Sequence, residues 1–242
     1  LSRHANFRFR WMREAALCIR MSHPHVIPLK DYGQLPDGRM FVAMELAEKG
    51  TLTEVWGAGI ALGEALVHLE QILCALSHLH SHDIIHQDIK PDNILIGDVA
   101  WLSDFSVARS LAELRVDPKE ISGTPGWMAP EQNAKAAKEV GPWTDLYAWS
   151  KLLKGAAQTE EAIQNLSPLL ALCSNAEPQS RLSSAAKARQ ILKDLTQNFS
   201  APWLSAQICP KLRVEAPVKM NYLSATRPID RVDIPMPDDP PT

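Results

Sequence analysis

The stretch Ile84-Ile85-His86-Gln87-Asp88-Ile89-Lys90-Pro91-Asp92-Asn93-Ile94-Leu95 decides how the rest of the chain is read. Before it, Leu66, Leu69, Ile72, Leu73, Leu76 and Leu79 recur at helical spacing between Gly63 and His82. After it, Ile94 and Leu95 open a hydrophobic strand. A carboxylate, an ammonium and an amide therefore stand at fixed offsets in a short loop between an amphipathic helix and a strand. That arrangement suits one acid-base group and one metal ligand facing the same phosphate.

The surrounding composition is that of an ordinary globular protein. The chain has 242 residues, 45% hydrophobic and 22% charged, enough for one sizeable core or two small ones. A formal net charge of -3 argues against nucleic acid and membrane surfaces as partners. Cys18, Cys74, Cys173 and Cys209 form no CxxC pair, so they read as buried small residues in a reducing compartment, the cytoplasm. No apolar run reaches the roughly 18 residues of a membrane helix. His78 and His82 are i,i+4 neighbours, but no carboxylate or cysteine completes a metal-ligand set with them.

The loop resembles the catalytic loop of the Hanks-type serine/threonine protein kinases, which reads HRDLKPEN, with Gln87 where that family usually has Arg. The resemblance implies an α+β fold with a small lobe and a mainly helical large lobe. It implies Asp88 as catalytic base, Lys90 balancing charge on the transferred group, and Asn93 holding magnesium. His86 is expected to pack beneath Phe105. The segment Leu102-Ser103-Asp104-Phe105-Ser106 resembles the DFG motif, with Asp104 as the principal Mg²⁺ ligand. Ser106 replaces the glycine, and its Cβ is expected to restrict the backbone at that joint.

Further motifs follow in the family's order. Gly123-Thr124-Pro125-Gly126-Trp127-Met128-Ala129-Pro130-Glu131 resembles the end of an activation segment, which small-molecule kinases lack. Thr124 is expected beside Asp88 and Lys90, the alternative being a helix-capping or turn threonine. Glu131 and Arg181 resemble the family's buried ion pair. Thr144-Asp145-Leu146 resembles the start of the αF helix, with Thr144 as its cap and Asp145 tied to the catalytic-loop backbone. The short distance from Asp145 to Arg181 leaves little room for a full αG helix. Gln87 cannot make the charge-assisted pair with a phosphorylated activation segment, which predicts activity without phosphorylation of Ser110 or Ser122.

Towards the N-terminus, residues 2–21 read as a helix capped by Ser2 or Asn6, with an apolar stripe of Phe9, Met12, Ala16 and Ile19. It resembles the αC helix, and Glu14 the glutamate that pairs with the ATP-binding lysine. Val26 to Gly33 and Arg39 to Glu45 read as a hairpin. The run from Met44 to Leu52 resembles the hinge against adenine: Met44 as gatekeeper, the backbones of Glu45 and Ala47 facing the base, Thr51 near the ribose, and Leu95 as floor. The glycine-rich loop and lysine expected ahead of Glu14 are not in this sequence. Because Leu1 is not methionine, a fragment, a mis-set start or a leucine-type start codon is expected. A further domain or partner would then cover the small lobe.

The expected division is a kinase-like domain over 1–200, comprising a partial small lobe (1–46) and a large lobe (47–200), followed by a proline-rich arm over 201–242. In that arm Trp203, Leu204 and Ile208 are candidates for docking. The expected function is transfer of phosphate from ATP, with Mg²⁺, to serine or threonine of a protein substrate. The alternative is a pseudokinase serving as a binding or scaffolding module.

Overall fold

The computed structural model describes residues 15–35, 37, 39–116, 122–134 and 136–196. Glu14, the proposed helix caps and the whole proline-rich arm lie outside them. Helix α1 covers residues 15–20. Ala15 to Cys18 and Met21 are buried, whereas Ile19 is 41% exposed. Of the expected stripe, Ala16 is buried and Ile19 is not, while Phe9 and Met12 lie outside the described residues; Leu17, Cys18 and Met21 join the main core.

Strands β1 (Leu29–Gln34) and β2 (Met40–Met44) form an antiparallel hairpin with Tyr32 opposite Val42. The expected first strand splits at Pro28, which has no N–H to give. Ahead of it, Val26 bridges Leu102, and the Ile27 N–H bonds the Leu102 carbonyl at 2.9 Å. This short segment joins the hairpin to the strand that leads into Asp104.

Helices α2 (Leu52–Gly57) and α3 (Leu62–Ser81) follow. All six leucine and isoleucine positions expected on one face of α3 are buried, but so are Val67, His68, Glu70, Gln71, Cys74 and Ala75. The helix is enclosed on most sides because α6 (Pro142–Ala156), α8 (Ala185–Thr196) and β5 (Ala100–Leu102) all pack on it. Trp149, fully buried, donates its indole N–H to the Leu69 carbonyl at 3.0 Å. Glu70, also enclosed, is neutralised by Arg189 at 2.6 Å.

Between α3 and α6 the chain makes two two-stranded sheets and short helices. β3 (Ile84–Ile85) pairs with β6 (Arg109–Ser110), and β4 (Ile94–Ile96) pairs with β5. α4 (Leu111–Val116) and α5 (Pro130–Asn133) flank the activation segment. Helix α6 starts at Pro142 with Gly141 as cap, three residues before the expected cap Thr144. Thr144 is thus inside the first turn, where its hydroxyl accepts the Gly141 N–H at 3.1 Å. Proline at the first helical position explains the shift, since it needs no hydrogen bond there. A single helix, α7 (Glu160–Ser174), occupies the span before Arg181. Among the described residues no helix is long and apolar enough to cross a membrane.

Candidate active site

Asp145, buried in the first turn of α6, organises the loop before it. Its Oδ1 accepts the Gln87 N–H at 2.8 Å, and its Oδ2 accepts the His86 N–H at 3.0 Å and His80 Nε2–H at 2.8 Å. Fixing two successive amides on one carboxylate forces a sharp bend, and Gln87 adopts φ +69° there. His80 was missed in the sequence, although it lies in the histidine-rich helix end.

His86 then joins the two loops of the site. It is fully buried and meets Phe105 edge-on at 5.1 Å. Its Nε2 lies 3.0 Å from the Ser103 carbonyl, and the Asp88 N–H points at its Nδ1 from 3.4 Å. Ser103 in turn gives both its N–H and its hydroxyl to the Asn93 carbonyl, at 2.9 and 3.0 Å. The turn carrying Asp104 is thereby laced to the loop carrying Asp88 and Asn93.

The Asp88 carboxylate collects three donors. Thr124 N–H reaches Oδ1 at 2.8 Å, while Lys90 Nζ and Asn93 Nδ2 reach Oδ2 at 2.8 and 3.0 Å. Lys90 also donates to the Thr124 hydroxyl at 2.7 Å. Burial alone would raise the Asp88 pKa, but the hydrogen bonds from Lys90 and Thr124 outweigh it and hold the carboxyl below its ordinary value. Asp88 is therefore ionised at neutral pH.

Asp104 is half-buried, with φ +60°, and its Oδ1 accepts the Ser106 hydroxyl at 2.6 Å. Ser106 itself is absent from the positive-φ residues among those described. The unusual backbone is therefore at Asp104, not at the replaced glycine. Asn93 spends its amide nitrogen on Asp88, which leaves its oxygen as the end that can meet a cation. Two oxygen donors, one carboxylate and one amide, fit Mg²⁺, which takes few protein ligands and completes its shell with phosphate and water.

On the hairpin side, Met44 is 45% and Leu46 75% exposed, alternating with half-buried Glu45 and Ala47. Leu95 turns away from its buried neighbours Ile94 and Ile96 and is half-buried. Thr51 has a structural role in the helix that follows. Its hydroxyl caps α2, accepting the Glu54 N–H at 3.3 Å and donating to the Glu54 carboxylate at 3.1 Å.

Beneath the site, Arg181 grips Glu131 with two bonds of 2.7 Å, both side chains fully enclosed. The Thr144 hydroxyl donates to Glu131 Oε1 at 2.7 Å, a partner sequence reasoning did not find. Gln132, also missed, has its amide between the Gln87 and Ser122 carbonyls.

A small hairpin over a helical lobe, with two laced loops and an activation-segment threonine between them, defines the protein kinase architecture. The chain belongs to the protein kinase domain family, whose profile matches residues 2–165, more than half of its length. Its similarity is to the Hanks-type serine/threonine kinases of bacteria. Serine/threonine-protein kinase PknH of Mycobacterium bovis is 36% identical over 152 residues, 61% of this chain and 25% of the relative. PknD of Mycobacterium tuberculosis is 34% identical over 158 residues, 63% of this chain and 23% of the relative. The serine/threonine-protein kinase pkn3 of Myxococcus xanthus is 32% identical over 157 residues, 60% and 28% respectively. This chain thus spans about a quarter of the length of the curated relatives it matches.

Proposed function

We propose that this chain carries ATP- and Mg²⁺-dependent phosphoryl transfer to serine or threonine hydroxyls of protein substrates. The observation that supports it most is the Asp88 carboxylate, ionised and held by Lys90, Asn93 and Thr124. An ionised carboxylate so placed accepts the proton of an incoming hydroxyl and orients its oxygen. Lys90, half-buried beside it, offsets negative charge on the group being transferred. Thr124 holds Lys90 and Asp88 in one arrangement from the activation-segment side.

Asp104 and Asn93 are the residues that would hold Mg²⁺, which when bound supplies charge neutralisation to the phosphates. The backbones of Glu45 and Ala47, with Met44 and Leu95, are the proposed adenine contacts. We assign residues 1–46 and 47–200 to the two lobes on the same reading.

The test is phosphate transfer from labelled ATP to a generic basic protein substrate, alongside nucleotide binding read by thermal shift. Mg²⁺ with ADP is expected to raise the melting temperature, and phosphoserine or phosphothreonine to form. Absence of both a shift and transfer would replace this reading with the scaffold one.

A further inference from the structure

Besides the bonds of Thr124 to Asp88 and Lys90, a neutral amide holds the activation segment to the catalytic loop. Gln132 lies in the first turn of α5 and is 1% exposed. Its Oε1 accepts the Ala129 N–H at 2.9 Å, which satisfies a helix-start donor that the alanine side chain cannot cap. Its Nε2 donates to the Gln87 carbonyl at 2.8 Å and to the Ser122 carbonyl at 3.1 Å. Both amide protons and the amide oxygen are therefore used, each on a different backbone position.

The backbone is pressed tight around this amide. A Cβ on Gly123 would come within 3.0 Å of the Gln87 carbonyl oxygen and 3.2 Å of Gln132 Nε2. Gln87 holds the other end of the segment, its side-chain Nε2 donating to the Val107 carbonyl at 2.8 Å. One residue of the catalytic loop thus touches the segment near its start directly and near its end through Gln132. None of these four contacts involves a charge.

We propose that Gln132 is a positioning residue that sets the activation segment against the catalytic loop in the unphosphorylated protein. Through Ser122 and Ala129 it brackets Thr124, whose N–H bonds Asp88. In relatives with an arginine at the Gln87 position an anion on the segment does this work; here a buried amide does. Only an amide fits, because the site needs an acceptor at one end and two donors at the other. A carboxylate would face two carbonyl oxygens, and an apolar side chain would strand all three backbone groups.

The inference rests on the phosphotransfer reading, and two measurements separate its failure from that of the reading. Hydrogen exchange needs no activity. Q132A and the near-isosteric Q132E are expected to lose protection over 122–129 while α3 and α6 keep theirs, and the Mg²⁺-ADP thermal shift is expected to stay that of wild type. In the activity arm, phosphatase-treated wild type is expected to retain its rate. Q132E is expected to lose roughly 10- to 100-fold in kcat/KM, the loss of buried hydrogen bonds.

The Q132E defect should shrink between pH 8 and pH 6. A carboxyl facing two carbonyls has a raised pKa, so its protonated form regains an O–H donor as pH falls. Merely structural damage would not follow that profile. Unchanged exchange over 122–129 in both variants, or loss of wild-type activity on phosphatase treatment with recovery on rephosphorylation, overturns the proposal.

Discussion

Two sets of carboxylates sit within the same large lobe and are treated in opposite ways. At the base, Glu131 is gripped by Arg181 and Thr144, and Asp145 by His80 and two backbone amides, with their side chains fully enclosed. At the proposed site Asp104 is half-buried and Asp88, though buried, keeps 8% exposure against 2% for Glu131 and 1% for Asp145. A charge whose bonds are all closed inside protein can only hold structure, because nothing from outside can reach it. A charge left at an opening is available to a substrate or cation. The lobe therefore separates its architecture from its chemistry by how completely each carboxylate is surrounded.

The sharpest way to test this contrast is to neutralise one member of each set. D88N keeps the size of the side chain but loses the base, and its amide NH2 faces donors that one of the carboxylate oxygens accepted. It is expected to lower kcat by about 10²- to 10⁴-fold with little change in melting temperature. R181M leaves Glu131 buried without its counter-charge, a loss of about 3–5 kcal/mol of stability. Its melting temperature is expected to fall by roughly 6–20 °C, read by circular dichroism. Were D88N to destabilise the fold as much as R181M, the division between closed and open charges would fail.

Much of this arrangement was legible because the informative residues cluster in short motifs. Asp88, Lys90, Asn93 and Asp104 could be placed from spacing and resemblance, and so could the Glu131–Arg181 pair, whose members are fifty positions apart. What escaped were the connections that depend on three dimensions. Gln132 reads as an ordinary helix residue until Gln87 and Ser122 are brought beside it. His80 and Thr144 find their carboxylates only once α3 and α6 are packed. In the α1 stripe Ile19 was misread because a helix buried on several sides has no single apolar face to detect. The strand at 26–33 was misread because Pro28 divides one apolar run between two partners.

The junction between the hairpin side and α3 offers a second, smaller case, this time among histidines. His23 stacks on His78 at 5.0 Å, next to His25 and His82. Burial, followed by the neighbouring His78 and His25, pushes the His23 pKa down to about 4. The unfolded chain therefore takes up this proton first, near pH 6.5, and stability is lost as pH falls from there towards 4. Asp88 contributes in a lower window, since its depressed pKa keeps its share until the pH falls below the ordinary carboxylate range. Urea unfolding at pH 7.5, 6 and 5 is expected to show a falling midpoint. H78F, which removes one neighbour that can become charged, is expected to make the decline shallower, and an equal decline in both proteins would remove His78 from the explanation.

The mildest effect is expected at Ser106, on the open side of the comparison. Its hydroxyl donates to Asp104 Oδ1 at 2.6 Å and its N–H reaches the same oxygen at 3.2 Å. Both bonds hold one oxygen of the carboxylate and leave the other to turn outward, so the serine steadies the group without closing it. S106A removes one hydrogen bond to a charged acceptor, worth about 1.5–3 kcal/mol at most and less at an exposed residue. The Kd for ADP measured with Mg²⁺ is expected to weaken by roughly two- to tenfold. The Kd without Mg²⁺ should not move, since the hydroxyl acts on the proposed metal-binding carboxylate and not on the adenine side. If both constants shifted together, the bond would be steadying the whole turn, and Asp104 would belong with the enclosed carboxylates of the base.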